Sequence, residues 1–248
     1  MPTDTEELVY RLRNARTIVV LTGSGVSAAS GIPTFRGDDG LWRTFRAEEL
    51  ATPEAFAHDP KTVWEWYDWR RTKIAASQPN AAHTVLAKWS QRPGFTLITQ
   101  NVDGLHERAG TQNVTRFHGS LFTLACRARC PESAPEGWEH DGAFSDWPPR
   151  CPHCGGLARP GVVWFGEPIP AEALRAAAQA VNCDVFLTVG TSAVVYPAAG
   201  LLLEAAARGA FTVEINPDAT PATRGVDLAL AGAAEDVLDR VERILPGE

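Results

Sequence analysis

The chain has 248 residues, 44% of them apolar, enough for one large domain or for a large domain with a smaller insert. Eighteen prolines and eight tryptophans, with no repeat or low-complexity tract, exclude a disordered chain, and a net charge of -7 lacks the basic excess of a nucleic-acid binder. The acid-bearing start is no signal peptide and no apolar run is long enough to span a membrane, so a soluble cytoplasmic protein is expected.

Residues 4–15 carry the pattern of an amphipathic helix. "TIVVLT" (17–22) reads as a β-branched strand that enters the glycine-rich loop "TGSGVSAASG". Gly23, Gly25 and Ala28 nearly fit G-x-G-x-x-[GA], in which glycines let the backbone approach a pyrophosphate. A glycine turn without a ligand is the alternative. Pro33 follows Gly25 by eight residues, which cuts short the usual crossover helix. No strand ending in an acid follows about 20 residues on, as ribose recognition in a common dehydrogenase requires. The loop therefore predicts a dinucleotide held in another way.

A helical module is expected over about 38–90, with Asp59 as N-cap and Pro60 at the first helical position of one helix. "FTLITQN" (95–101) and "VTRFHG" (114–119) read as the second and third strands. Residues 131–150 have no helical or strand period, and "GVVWFGE" (161–167) reads as extended. Helix 171–181, strand 184–190, helix 197–209, strand 211–216 and helix 233–245 then alternate, predicting an α/β fold with a parallel sheet and helices on both faces.

Four strands end in small or polar residues: "TQNVDGLH", "FHGS", "GTSAVVYP" and "EINPD". In open α/β sheets, ligands collect at such carboxyl ends. His118 is the histidine at a strand end, next to a glycine, and is the natural general base. A satisfied turn histidine is the bland alternative. His58, His83, His106 and His140 are read as structural, and Cys183, flanked by apolar residues, as a buried structural thiol.

Cys126 and Cys130, then Cys151 and Cys154, form C-x3-C and C-x2-C knuckles separated by twenty residues. Four thiolates of this kind suit one structural zinc. His153 is a conceivable substitute ligand. A nucleic-acid-binding ribbon is the rival use, and the acidic chain and acidic spacer argue against it.

"GSGVSAASGIPTFRG", "TQNVDGLHERAG", "FHGS", the four cysteines, "VVWFGE" and "VGTSAVVYPAA" stand in the order found in sirtuins, the NAD-dependent protein lysine deacylases, and the resemblance spans roughly 15–240. It implies the deoxyhypusine-synthase-like NAD-binding fold. A Rossmann-like domain would comprise 1–38, 91–124 and 159–248, and a smaller domain would join a helical module (39–90) to a zinc-ribbon module (125–158). It also implies that Gly23, Ser24 and Gly25 line the diphosphate, with Ser27 and Ile32 in the same cofactor set. Phe35 and Arg36 would cover the nicotinamide ribose. Gln100, Asn101 and Asp103 would contact ribose and nicotinamide, Asn101 serving catalysis beside His118. Gly190, Thr191, Ser192 and Asn216 would hold the adenosine side, and Ala233 would meet adenine. Val163, Phe165, Gly166 and Glu167 would pair with the acyl-lysine peptide as a strand. The implied chemistry is attack of the acyl oxygen on C1′ of the ribose, loss of nicotinamide, and proton removal by His118. The products would be lysine, nicotinamide and O-acyl-ADP-ribose.

Three positions depart from the usual pattern: Ser24 for alanine, Ala29 for glutamate and Thr34 for aspartate. "IPTFRG" resembles the branch that prefers acidic acyl groups. Val63, Tyr67, Arg70 and Ile74 fall on one helical stripe. An arginine there is costly unless it snorkels or meets an anion, and a tyrosine beside it supplies a second donor. The snorkelling arginine is the alternative. Y-x-x-R at this place resembles the desuccinylase, demalonylase and deglutarylase sirtuins, with Ala51 leaving room for the longer acyl chain. Rival functions are a plain deacetylase, a mono-ADP-ribosyltransferase and a non-catalytic NAD sensor or scaffold. The last would carry a damaged "TQNVD" or "FHGS", and both motifs are intact.

Overall fold

A computed structural model describes residues 3–34, 41–42, 45–144 and 147–245. Helix α1 (Asp4–Asn14) leads into β1 (Ile18–Thr22) and a 3-10 helix (Ser24–Ser30). The pair β2 (Leu41–Trp42) and β3 (Phe45–Arg46) precedes α2 (Ala47–Leu50), α3 (Pro53–His58), α4 (Pro60–Ala76) and α5 (Ala81–Trp89). Then come β4 (Phe95–Thr99), α6 (Leu105–Arg108), β5 (Val114–Arg116), β6 (Gly119–Cys126), β7 (Trp138–Glu139) and β8 (Ala158–Val162). The remaining elements are α7 (Ala171–Ala180), β9 (Val185–Val189), α8 (Ala198–Ala207), β10 (Phe211–Asn216), β11 (Leu228–Ala231) and α9 (Ala234–Ile244).

Six strands form a parallel sheet in the order β11-β10-β9-β1-β4-β5. Successive residues of a strand point to opposite faces, and β1 shows both. Ile18 and Val20 join Leu8, Leu12, Leu86, Trp89, Val237 and Leu238 from α1, α5 and α9. Val19 and Leu21 join Ala173, Ala177, Leu201 and Leu202 from α7 and α8. All five residues of β1 are buried, which is why the strand lacks alternating polarity. The sheet has a switch point at β1, because β4 lies on one side of it and β9 on the other.

A second core joins the helices α2 to α4 to a three-stranded antiparallel sheet, β7-β6-β8. Phe56, Trp64, Trp66 and Ile74 pack against Leu121, Leu124, Ala158 and Trp164. Trp64 Nε1–H donates to the Ala158 carbonyl at 2.9 Å. Asp59 caps α4 by accepting the Thr62 amide, with Pro60 following it, as the sequence predicts.

Two expectations are corrected and one strand is added. The strand expected over 114–119 stops at Arg116, and a new strand in the other sheet starts at Gly119, whose φ of +80° breaks the extended path. The extended run expected over 161–167 stops at Val162, and residues 165–166 form a turn with Gly166 at φ +84°. The edge strand β11 is four residues long and, among the described residues, pairs only with β10, too short to register as a pattern. Among the described residues, no helix is long and apolar enough to cross a membrane.

Arg71, next to the arginine singled out in the sequence, is the structural one. It is 4% exposed and donates to the carbonyls of Leu121 (2.7 Å), His140 (2.7 Å) and Gly142 (3.3 Å). It thereby ties α4 to both β6 and the segment after β7. Replacing it by methionine strands these carbonyls, and R71M is expected to lower unfolding free energy by about 3 kcal/mol in urea denaturation. A loss below about 1 kcal/mol would mean that the carbonyls find other partners.

Candidate active site

A cleft of about 740 Å³ opens where β1, β4, β9 and β10 end, walled on the far side by α4 and residues 162–169. Two loops form its floor. The Gly25 amide donates to the Gly190 carbonyl at 2.8 Å, and the Gly23 amide to the Val189 carbonyl at 3.1 Å. A Cβ on Gly25 would stand 2.8 Å from Gly190 Cα, and one on Gly190 would stand 2.5 Å from the Val26 nitrogen. These glycines therefore permit the two loops to cross. Ser24, Gly25, Ser27 and Ile32 line the cleft, and Gly23 lies behind it. Phe35 and Arg36 lie outside the described residues.

Behind the floor is a buried polar network. Ser27 Oγ donates to Asp103 Oδ2 at 2.7 Å and accepts from Asn101 Nδ2 at 3.2 Å. His83 Nε2 lies 3.4 Å from the same oxygen. The Asn80 amide donates to His83 Nδ1 at 3.3 Å, so the imidazole proton sits on Nε2 and points at Ser27. Burial pushes the His83 pKa down to about 4. His106, whose pKa burial pushes down to about 3, lies 3.0 Å from Thr22 Oγ1, and the two rings are 4.8 Å apart. Both rings are neutral near pH 7. Burial raises the Asp103 carboxyl pKa, opposed by the Leu105 amide and the Ser27 hydroxyl. From the sequence, His83 and His106 read as structural. Their place behind the site is a tertiary fact, and its one local signal is that Asn80 and His83 together cap α5.

His118 lies between β5 and β6 at the cleft wall. Its Nδ1 is 3.2 Å from the Gln100 carbonyl, so Nδ1–H donates there and Nε2 keeps its lone pair. Burial lowers its pKa, opposed by that carbonyl. Gln100 Nε2–H donates to Thr191 Oγ1 at 3.0 Å, and Asn216 Nδ2–H to the Thr191 carbonyl at 3.4 Å. Gly190, Thr191, Ser192, Asn216 and Ala233 line the end of the cleft beside β9, β10 and α9.

At the other end Ala51, Tyr67 and Arg70 meet. Val63, Tyr67 and Ile74 are buried to 2% exposure or less, whereas Arg70 is half-buried and turned to the cleft. Desolvation lowers the Arg70 pKa, opposed by the neighbouring Tyr67 and Asp103, and arginine stays protonated. Tyr67 Oη accepts from Trp164 Nε1 at 2.9 Å, and burial raises the phenol pKa. Val163, Phe165, Gly166 and Glu167 also line the cleft. The Val163 amide donates to the His118 carbonyl and the Phe165 amide to the Ala51 carbonyl. The Glu167 carboxylate is held by Arg159 at 2.5 and 2.7 Å.

The Sγ atoms of Cys126, Cys130, Cys151 and Cys154 lie within 4.8 Å of one another, and none of these residues lines the cleft. The Cys126–Cys154 and Cys130–Cys151 sulfur distances are 3.7 and 3.8 Å. A tetrahedron with Zn–S bonds of about 2.3 Å has edges of about 3.8 Å, so the four thiols fit one zinc. With four sulfurs the site is closed, and the metal is structural. Metal analysis of the purified chain is expected to find one zinc per chain, and C151S to lose the metal together with much of its thermal stability. A zinc-free chain of unchanged melting temperature would contradict this.

The model of the Sir2 family matches residues 23–197. The chain is 52% identical over 226 residues to an NAD-dependent protein deacylase of Aquifex aeolicus, covering 90% of this chain and 93% of that one. It is 50% identical over 242 residues to NAD-dependent protein deacylase 1 of Archaeoglobus fulgidus, covering 96% of each. A solved Sir2-homologue mutant in complex with 2′-O-acetyl ADP ribose superposes with a TM-score of 0.90 at 49% identity, over 97% of this chain and 96% of that one.

Proposed function

The chain belongs to the Sir2 family, and from that premise we propose that it is an NAD-dependent deacylase directed at lysines carrying acidic acyl groups: succinyl, malonyl and glutaryl. The deacylase activity itself follows from the family and from close relatives of that name. The acyl preference rests on one observation. The cleft holds a guanidinium and a phenol about one helical turn apart on α4, Arg70 and Tyr67, and the small Ala51 and the acid Glu48 line it too. A planar guanidinium can donate to both oxygens of a carboxylate.

When bound, NAD would supply an electrophilic ribose carbon with nicotinamide as its leaving group. The residues of this chain do the rest. Ser24 and Gly25 receive the diphosphate, and Gly190, Thr191, Ser192, Asn216 and Ala233 hold the adenosine side. Phe35 and Arg36, which lie outside the described residues, are assigned by motif to the nicotinamide ribose. Gln100, Asn101 and Asp103 face the nicotinamide ribose, and Ser27 and the neutral His83 keep the Asn101 amide from rotating. His118 Nε2 takes a proton from a ribose hydroxyl, while its Nδ1–H on Gln100 fixes the ring. The backbone of 163–167 receives the substrate peptide.

Because burial lowers the His118 pKa, its neutral form persists below the ordinary value of 6.5. The acid limb of kcat/KM is therefore expected to have its midpoint below that pH, and H118A to lose about 10²–10⁴-fold in rate. An acid limb centred above pH 7 would contradict the assignment.

Arg70→Met separates the acyl readings. A charge-assisted contact is worth about 1.5–3 kcal/mol, or roughly tenfold to a hundredfold in rate. That loss in kcat/KM is expected for a succinyl-lysine peptide and not for its acetyl counterpart. Equal losses on both would return Arg70 to a general packing role and leave a plain deacetylase.

A further inference from the structure

Arg159 does not line the cleft, and the reaction above assigns it nothing. Its guanidinium lies over the Trp164 indole, 3.6 Å from the ring centroid. Its nitrogens meet both oxygens of Glu167, at 2.5 and 2.7 Å, and the Val162 carbonyl at 2.9 Å. Glu167 Oε2 also accepts the Trp164 amide at 2.9 Å. The two charged side chains are only 15% and 20% exposed, so solvent screens them weakly. Trp164 is thus gripped at its backbone and over its ring face. Its Nε1–H then donates to Tyr67 Oη at 2.9 Å in a buried contact.

A phenol has one proton and two lone pairs. The indole proton occupies one lone pair, which leaves the hydroxyl proton available to a partner in the cleft. A cation over the indole also polarises its N–H and strengthens that donation. The clamp therefore links β8 and the 164–167 turn to the tyrosine on α4. We propose that Arg159, clamped by Glu167, is a positioning residue for acyl recognition: it fixes Trp164 so that Tyr67 presents its hydroxyl proton to the distal carboxylate of the acyl group. This rests on the acidic-acyl reading above.

The test uses the full chain with R159M, R159K, Y67F and the R159M/Y67F double variant. Steady-state kinetics with succinyl- and acetyl-lysine forms of one peptide at saturating NAD are compared. ¹H–¹⁵N spectra follow the Trp164 indole N–H, assigned with W164F. R159M is expected to raise KM for the succinyl peptide about tenfold and KM for the acetyl peptide less than about twofold. R159K, which keeps a cation over the indole, restores part of the loss. In the Y67F background R159M adds no further discrimination, as coupled residues require. The Trp164 indole signal shifts and exchanges faster in R159M and in Y67F alike. An unshifted indole signal in a folded R159M, or equal losses on both peptides from a wild type that prefers succinyl, overturns the proposal. A wild type that prefers acetyl overturns the acyl reading instead, and the indole signal still decides whether Arg159 aims Tyr67. If R159M melts early, R159Q, which also removes the cation, supplies the spectrum.

Discussion

Two backbones cross at their closest approach where the sheet changes direction, and the cleft depends on that crossing. β1 lies between β4 and β9, so the chain leaves its carboxyl end with neighbours on both sides. The Gly25 amide bonds to the Gly190 carbonyl at 2.8 Å, and a methyl at either glycine would come within 2.8 Å of the other loop. The crossing draws Thr191 to Gln100 and Asn216, at 3.0 and 3.4 Å. Gln100 in turn offers its carbonyl to His118. The orientation of the candidate base is thus traceable to a position where only glycine fits.

Charge is distributed unevenly along the cleft. Behind Asn101 the groups are buried and largely neutral: two histidines with depressed pKa values, two threonines, and Ser27. Asp103, whose pKa burial raises, is the acid of that region. An imidazolium there would pull Asp103 from Ser27 and release the Asn101 amide. Toward α4, Arg70 carries a positive charge beside a buried phenol and within electrostatic reach of Asp103. A substrate that brings its own carboxylate to that end meets a cation already partly desolvated, so less water is displaced on binding. A neutral acyl group would leave the guanidinium without that partner from the substrate.

Much of this was legible in the sequence because the relevant signals are local. The strand–helix alternation, the glycine loop and the cysteine knuckles each lie within a short window, and His118 stands beside a glycine at a strand end. Signals that depend on partners far along the chain were not legible. "GVVWFGE" looks continuously extended, but Gly166 turns it and Glu167 meets Arg159, eight residues earlier. Arg70 and Arg71 are indistinguishable as letters. A rotation of about 100° along the helix decides which one faces the cleft and which is buried against the carbonyls of β6 and the segment after β7. His83 and His106 read as core residues and are buried, yet their rings meet only because α5 and α6 pack together.

The most direct test of the account is mass spectrometry of the products from one peptide carrying either succinyl-lysine or acetyl-lysine, with and without NAD. The account predicts faster NAD-dependent release of the succinyl group, with nicotinamide and O-succinyl-ADP-ribose in equal amounts. Faster release of acetyl would contradict the role given to Arg70 and Tyr67, and no turnover of either peptide by a chain that still binds NAD would contradict the deacylase mechanism itself.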